Sequence, residues 1–377
     1  MFLYSLLSTV YAVERFEPIA KWLTLGLLVA VLLIGTLVFF FKRSVFGAYA
    51  KAALMGSFCY LLILGIVFFS LDIAKNYSDS YAEENWLDKQ MLVKFILIPL
   101  LVLCSVALLS LAAYALVCKY KPNRKKLFAA LSIGLCAVAL LTVLVCITVY
   151  YNKKIANDGY YNSDTATVRQ TALYALSIIS ILLIVGLSLF DKQKLRFNAH
   201  SLAYAGICTA MSYALSYIKL WDMPQGGSIT LVSLLPLMLY SYIFGAKKGV
   251  FVGFTYGLLQ SLQDPWLIHP AQFLLDYPVA FSAVGLAGLL KNAQVFQKMP
   301  QVKFTLGACI AGCMRFICHV LSGALAFEAY AEGQNVWLYS LVYNSYVFID
   351  AALVIAAAIF VLSSRSFLKT VTKLQKV

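Results

Sequence analysis

Long apolar segments separated by short polar loops constrain this chain more than any other feature of its sequence. A transmembrane helix needs about 20 consecutive, mostly apolar residues. Charged residues make up only 12% of the chain, whereas they are about a quarter of a typical soluble domain. The sequence therefore predicts an all-α polytopic membrane protein with about eleven transmembrane helices. We place them at residues 22–41, 53–72, 93–118, 127–150, 171–190, 199–221, 229–244, 249–263, 272–290, 304–328 and 337–362.

Basic residues collect on one side of these segments, where the only acid is Asp191. That side consists of the loops 42–52, 119–126, 191–198, 245–248 and 291–303 and the tail 363–377. The positive-inside rule predicts that this side is cytoplasmic, which puts the N-terminus outside the plasma membrane and the C-terminus in the cytoplasm. We therefore interpret the net charge of +14 as a topology signal with some attraction to anionic membrane lipid, and not as nucleic-acid binding.

No recognisable cofactor or metal motif occurs in the sequence. The nine cysteines lie in or beside apolar segments, and they form no CxxC pair or Cys/His metal spacing, so we predict packing roles for them. A Walker A sequence is also absent, and the chain is therefore not expected to hydrolyse ATP by that route. We predict no cofactor, no metal and no enzymatic activity.

The composition changes near residue 195. Residues 1–195 hold five apolar segments without an acid–base pair, and we predict a five-helix membrane domain of unknown role. Residues 196–377 hold six segments with a denser polar content and end in a basic tail. We expect this second part to bind a ligand by itself, so that removal of residues 1–195 leaves binding intact.

Acidic, amide and aromatic side chains gather in the outer halves of the last spans. Gln272 and Asp276 are four residues apart and therefore share a helix face. A carboxylate at that depth is costly unless it has a partner, so Asp276 is the main candidate for a ligand contact. The other candidate site residues are Tyr277, Asn344, His319, Tyr339, Trp266, Tyr256 and Ser340.

Two further charges lie deep in the membrane. At a rise of ~1.5 Å per residue, Arg315 lies roughly 16 Å from the inner end of its segment and Asp350 about 20 Å from the outer end of its own. These depths match, and we predict a structural ion pair between the two residues that offsets the cost of burying either charge.

Aromatic rings, one carboxylate and several amide or hydroxyl groups suit a flat, nitrogen-rich cation as ligand. Three other interpretations remain open. The first is an interfacial aromatic belt around Trp266. The second is an ion-coupled secondary transporter of a cationic metabolite, with Asp350 as its titrating group. The third is a membrane-embedded enzyme that uses Asp276 and His319 as acid and base.

Small residues also recur at a spacing of four in the first segment of the second half, at Gly206, Ala210 and Ala214. Such a stripe lets another helix approach closely inside a bilayer. Internal packing and the docking of another subunit are both compatible with it.

Residues 199–362 resemble the thiamine-specific substrate-binding S component of energy-coupling-factor (ECF) vitamin transporters, a six-helix membrane protein. The resemblance rests on the order and spacing of five short motifs. They are Pro224-Gln225-Gly226-Gly227-Ser228, Pro265-Trp266 with His269-Pro270, Gln272-Phe273-Leu274-Leu275-Asp276-Tyr277, Arg315-Phe316 with His319 and Gly323, and Tyr339-Ser340 with Asn344.

This resemblance implies capture of thiamine from outside, in a complex with a transmembrane coupling subunit and two ATP-binding cassette ATPase subunits. It implies that Asp276 and Asn344 face the thiazolium ring and that His319 contacts the aminopyrimidine. Tyr277, Trp266, Tyr256 and Tyr339 would form aromatic walls, and the face of Gly206, Ala210 and Ala214 would dock onto the coupling subunit.

Asp276 stands where the family more commonly has glutamate, and two further positions also depart from the family pattern. Gly227 and Phe327 stand where the family often has tryptophan. The smaller stacking area leaves a thiamine precursor or analogue open as the ligand.

Overall fold

The computed structural model describes residues 9–76, 89–158, 165–193, 195–263, 269–294, 296, 299–331 and 333–375. Their long apolar runs form helices, because every backbone polar group inside a bilayer must be satisfied within its own segment. The first half contains α1 (Thr9–Phe41), α2 (Phe46–Asn76), α3 (Ile98–Tyr120), α4 (Lys125–Asp158) and α5 (Thr165–Leu189). A short helix (Lys89–Leu92) and a π-helical turn (Val93–Leu97) lead into α3. The 3-10 turns Arg43–Val45 and Pro122–Arg124 precede α2 and α4.

The second half begins with α6 (Ala199–Ser216), where Asn198 and Ser201 form a reciprocal capping box. A β-hairpin and a run of shorter helices follow. They are β1 (Lys219–Asp222), the 3-10 turn Pro224–Gly226, β2 (Ser228–Thr230), α7 (Leu235–Phe244), α8 (Ala246–Gln263), α9 (Pro270–Leu274), a π-helical turn (Leu275–Val279), α10 (Ala280–Val284), a 3-10 turn (Gly285–Gly288), α11 (Pro300–Ala326), the 3-10 turn Glu328–Ala331, α12 (Val336–Asn344), α13 (Tyr346–Ser363) and α14 (Arg365–Gln375).

Seven helical stretches of the described chain are long and apolar enough to cross a membrane. They are Phe16–Phe41, Arg43–Leu71, Gln90–Cys118, Leu127–Tyr150, Thr171–Leu189, Pro300–Ala326 and Val336–Ser363. A helical, multi-pass membrane protein is therefore confirmed. The predicted number of eleven spans is not, because four of the predicted segments fall on shorter or interrupted helices.

The predicted helix at 199–221 extends too far at its C-terminal end, and the predicted helix at 229–244 begins too early. The helix α6 ends at Ser216, and strands β1 and β2 pair in antiparallel fashion, with Asp222 opposite Ser228. Between them, Pro224 supplies a fixed φ angle and Gly226 adopts a φ of 90°, so the chain can reverse direction there. Apolar residues that looked like the ends of two transmembrane helices thus form a hairpin.

The predicted helix at 272–290 begins at Pro270 and is interrupted at Pro278, and we call residues 270–288 the broken helix. Pro278 has no N–H group to donate to the preceding turn, and the helix widens to a π-turn at Leu275–Val279. The π-turn contains Asp276 and Tyr277, two of the predicted site residues.

The two halves of the chain pack against each other. The ring of Phe68 in α2 stacks on Tyr217, with 4.4 Å between their centroids. An apolar cluster also joins the two halves. It contains Ile96 and Ile147 of the first half and Leu262 and Phe273 of the second. The division at residue 195 remains a prediction, and the halves that it separates share hydrophobic clusters.

Asp191 anchors the segment between the halves. Its Oδ2 accepts a hydrogen bond from Ala246 N at 2.8 Å, the first amide of α8, and its Oδ1 accepts one from Gln193 N at 3.0 Å. Gly245 has a φ of 98°, and a Cβ atom there would lie 2.5 Å from Asp191 Oδ2. The single acid of the basic side therefore serves as a helix cap.

Candidate functional site

A cavity of about 150 Å³ lies between the hairpin, α8, the broken helix, α11 and α12. Eight of the nine predicted binding residues line it, and the ninth, Trp266, lies outside the described residues. The eight are Asp276, Tyr277, Asn344, His319, Tyr339, Gln272, Tyr256 and Ser340. Residues from separate helices thus meet at one place.

Asp276 is held by three hydrogen bonds from two elements. Gln272 Nε2 donates to Asp276 Oδ2 at 2.7 Å, one helical turn away on the broken helix. From α11, Ser322 Oγ donates to Oδ2 at 2.6 Å, and His319 Nδ1 lies 3.0 Å from Oδ1. The side chain of Asp276 is 17% exposed, so both oxygens are fixed while the carboxylate still faces the cavity.

The hydrogen bond to Asp276 also sets the role of the second nitrogen of His319. An ionised carboxylate only accepts hydrogen bonds, so Nδ1 of a neutral ring must carry the proton and Nε2 becomes an acceptor. His319 Nε2 is buried and has no hydrogen-bond partner among the described residues. A ligand with an N–H group could satisfy it.

Asn344 of α12 is also fixed by hydrogen bonds. Its Nδ2 atom donates to Ser340 O at 2.9 Å and to His319 O at 3.3 Å. Both bonds use the nitrogen, which leaves the amide oxygen for a donor in the cavity. This close approach of α12 to α11 needs a glycine at 323, because a Cβ atom there would lie 2.3 Å from Ser340 Oγ.

Aromatic rings form much of the remaining wall. Tyr339 and Tyr343 stack with 6.0 Å between centroids, and Tyr256 meets Phe281 edge-on at 5.0 Å. The Tyr343 hydroxyl donates to the Pro224 carbonyl oxygen and thereby ties α12 to the hairpin. These rings can stack on a flat ligand and attract a cation.

The departures from the family pattern at Gly227 and Phe327 lie beside aromatic side chains. A Cβ atom at Gly227 would lie 3.0 Å from Cε1 of Tyr346, so the space beside this residue is already filled by a tyrosine. Phe327 lines the cavity, and its ring centroid lies 5.8 Å from that of Tyr330. Neighbouring tyrosines thus supply aromatic surface near both positions.

Arg315 and Asp350 meet at the wall of the cavity, where Arg315 Nη1 lies 3.1 Å from Asp350 Oδ2. Thr230 adds hydrogen bonds from its amide and its hydroxyl to Asp350 Oδ1, at 3.3 and 3.2 Å. The Arg315 guanidinium also lies 5.2 Å from the centroid of the Phe281 ring. The predicted contact is therefore present, and its structural role remains a prediction.

Several residues that line the cavity or hold its side chains were absent from the sequence-based set. Ser322 lies three residues after His319, a spacing that shares a helix face and could have pointed to it. On the wall formed by α6 and α8, Gln260 Nε2 donates to Tyr256 OH at 2.7 Å and to Ser216 Oγ at 2.9 Å. This group joins helices that are distant in sequence, and no local spacing indicates it.

The small-residue face of α6 is partly covered by the chain itself. Ala214 is fully buried, and a Cβ atom at Gly65 of α2 would lie 3.1 Å from the Ala214 Cβ. Gly206 is exposed and Ala210 is half-buried. The Ala214 end of the stripe is thus an internal packing surface, and docking at Gly206 and Ala210 remains a prediction.

His269 acts as a helix cap at the start of the broken helix. Its Nδ1 accepts a hydrogen bond from Ala271 N at 3.1 Å, and its ring lies 5.0 Å from that of Tyr174 in α5. Burial lowers the pKa of His269 from 6.5 to about 4. The residue therefore remains neutral at physiological pH, as its capping role requires.

This low pKa predicts that acid destabilises the protein. An unfolded chain takes up a proton on His269 near pH 6.5, whereas the native chain does so only near pH 4. The stabilisation is therefore complete above pH 6.5 and declines as the pH falls toward 4. We expect the thermal midpoint of the wild type to fall across this window more steeply than that of His269→Asn, which keeps a capping acceptor without titrating. Parallel pH profiles of the two proteins would contradict this role.

The buried ion pair predicts non-additive effects of substitution. Arg315→Gln or Asp350→Asn should each lower stability by ~3–5 kcal/mol, because each leaves an unpaired buried charge. The double substitution Arg315→Met with Asp350→Leu should recover most of that loss. Thermal unfolding in detergent measures both effects, and normal stability of both single variants would count against the pair.

Comparison with known proteins places the second half of the chain in one family. The family model described as thiamine transporter protein (Thia_YuaJ) matches residues 202–370, which include the residues of the cavity. The thiamine transporter ThiT of Bacillus subtilis is 32% identical over 166 residues, covering 41% of this chain and 86% of that protein. ThiT of Lacticaseibacillus paracasei is 28% identical over 153 residues, covering 37% of this chain and 74% of that protein. The chain therefore belongs to the thiamine transporter protein family, a family of transporters and not of enzymes.

Proposed function

We propose that this chain is the substrate-binding S component of an ECF-type transporter, which captures thiamine from outside the cell and delivers it to the cytoplasm. The observation that carries the proposal is the carboxylate of Asp276, which faces the cavity and is held by Gln272, His319 and Ser322. All three partners are neutral or can be neutral, so the negative charge of Asp276 is left for a cation to offset.

The chemistry of thiamine matches the groups around the cavity. Its thiazolium ring carries a permanent positive charge, which suits Asp276 and the faces of Tyr339 and Tyr277. Its aminopyrimidine offers N–H donors, which suit Nε2 of His319. The amide oxygen of Asn344 would face the positively charged thiazolium ring together with Asp276. The cavity therefore offers both a charge and directional hydrogen bonds, the combination that gives a small-molecule site its specificity.

Energy for transport would come from partner subunits, since the sequence has no Walker A motif of its own. The family resemblance supports a transmembrane coupling subunit and two ATP-binding cassette ATPase subunits as these partners. Gly206 and Ala210, which α2 leaves accessible, are the part of the α6 face that remains for docking. The basic loops support an outer N-terminus and a cytoplasmic C-terminus, so the ligand would enter at the hairpin end.

An ion-coupled carrier finds less support. It would need a titrating acid deep in the membrane, and Asp350 was the sequence-based candidate. Arg315 and Thr230 occupy both oxygens of Asp350, which favours a fixed structural charge.

Direct binding of thiamine is the test. The purified chain in detergent, without ATP or other subunits, should be stabilised against heat by micromolar thiamine and should give a saturable binding isotherm by calorimetry. The separate pyrimidine and thiazole halves of thiamine serve as control ligands and should bind far more weakly. Unchanged thermal stability and no binding heat at micromolar thiamine would rule out the proposal.

Substitutions in the cavity should separate charge from hydrogen bonding. Asp276→Ala should abolish binding by removing the countercharge, whereas Asp276→Glu should retain it. Asn344→Ala should weaken binding by ~1–3 kcal/mol, the usual penalty for an orphaned polar group. Calorimetric titration with thiamine measures all three, and wild-type affinity in both alanine variants would mean that thiamine binds elsewhere.

A further inference from the structure

Helix α5, the last helix of the first half, buries one narrow stripe of its surface. Leu173, Ser177, Ser180, Ile184 and Ser188 recur every three or four residues and are each 5% exposed or less. This is the spacing of a single helix face. Most of the residues between them are exposed and apolar, as expected for a surface that faces lipid.

The stripe contacts both segments that carry the Asp276–His319 hydrogen bond. Ser177 Oγ lies 3.2 Å from the carbonyl oxygen of Ala271, at the start of the broken helix. Ser180 is buried beside the thiol of Cys318, the residue before His319 in α11. Helix α5 therefore packs where the broken helix meets α11.

Serine is suited to this place because it is small. Small residues let helices approach closely in a membrane. The Ser177 hydroxyl has its nearer acceptor, Leu173 O at 2.7 Å, in its own helix, so its small size is what matters at the contact with Ala271. Ser177 is 1% exposed and Ser180 is 4% exposed, so neither position has room for a larger side chain. A larger residue would push α5 away, or would separate the broken helix from α11.

The hydrogen bond between the broken helix and α11 tolerates little displacement of one helix relative to the other. Asp276 Oδ1 and His319 Nδ1 are 3.0 Å apart, and N–H···O bonds lie between about 2.7 and 3.2 Å. A shift of a few tenths of an ångström between the two helices would therefore weaken the contact that orients both site residues.

We propose that α5 is a positioning element of the ligand site and that Ser177 and Ser180 set the spacing between the helices carrying Asp276 and His319. The inference rests on the proposed function, since thiamine is the ligand used to test it. The family match covers residues 202–370, so α5 is a support that this chain adds outside the matched region. It also reverses the expectation that residues 1–195 are dispensable: their removal would take α5 away and lower the affinity.

The test compares three serine-to-leucine variants of the full chain by calorimetry with thiamine. Ser177→Leu and Ser180→Leu should each weaken binding by about tenfold, which corresponds to ~1.4 kcal/mol. Ser188→Leu is the matched control, because it lies on the same buried stripe but is eight residues, or about 12 Å, farther along α5 than Ser180. It should lower thermal stability to a similar degree and leave the dissociation constant within about twofold of the wild type.

A second measurement distinguishes positioning from general loss of stability. In a His319→Ala chain, Ser180→Leu should change the dissociation constant by less than about twofold, because the hydrogen bond that it disturbs is already absent. Ser177→Val and Ser180→Val give the same comparison with a smaller displacement if the leucine variants do not fold.

Three results would overturn the positioning role. They are wild-type affinity in both Ser177→Leu and Ser180→Leu, an equal loss in Ser188→Leu, and full additivity of Ser180→Leu with His319→Ala. Absence of thiamine binding in the wild type would overturn the proposed function, and this inference with it.

Discussion

The hydrogen bond between Asp276 and His319 joins the broken helix to α11, and the geometry of the cavity depends on it. Among the described residues, Gln272 and Ser322 also donate to this carboxylate, which fixes its direction without shielding it from the cavity. The π-turn at Leu275–Val279 makes this possible, because Pro278 interrupts the regular helix beside the acid. A fixed negative charge in an apolar region is costly, and a cationic ligand would offset that cost.

The two acids of the cavity wall show how surroundings decide the role of a buried charge. Asp350 is paired with the permanent cation of Arg315 and with Thr230, which leaves no requirement for a ligand. Asp276 has amide, hydroxyl and imidazole partners, which orient it without neutralising it. These surroundings agree with the predicted structural role of Asp350 and with the binding role that we propose for Asp276.

Much of the fold and part of the site could be predicted from sequence, because apolar helices make polar side chains conspicuous. Asp276, His319 and Asn344 stood out for this reason, and the structure brings them to one cavity. The hairpin at Lys219–Thr230 could not be predicted, since its apolar residues continue the pattern of the flanking helices. The spacing of Ser322 from His319 places both on one helix face, but it does not identify Asp276 as the acceptor of the Ser322 hydroxyl. The contact of α5 with Ala271 links residues 94 positions apart, and no local pattern encodes such a contact.

A structure of the full chain with thiamine bound tests the central claim most directly. The thiamine should lie in the cavity between Asp276 and Asn344, with its charged ring near the carboxylate and an N–H group within hydrogen-bonding distance of His319 Nε2. Thiamine bound outside this cavity, or bound within it without contact to Asp276, would contradict the proposed site.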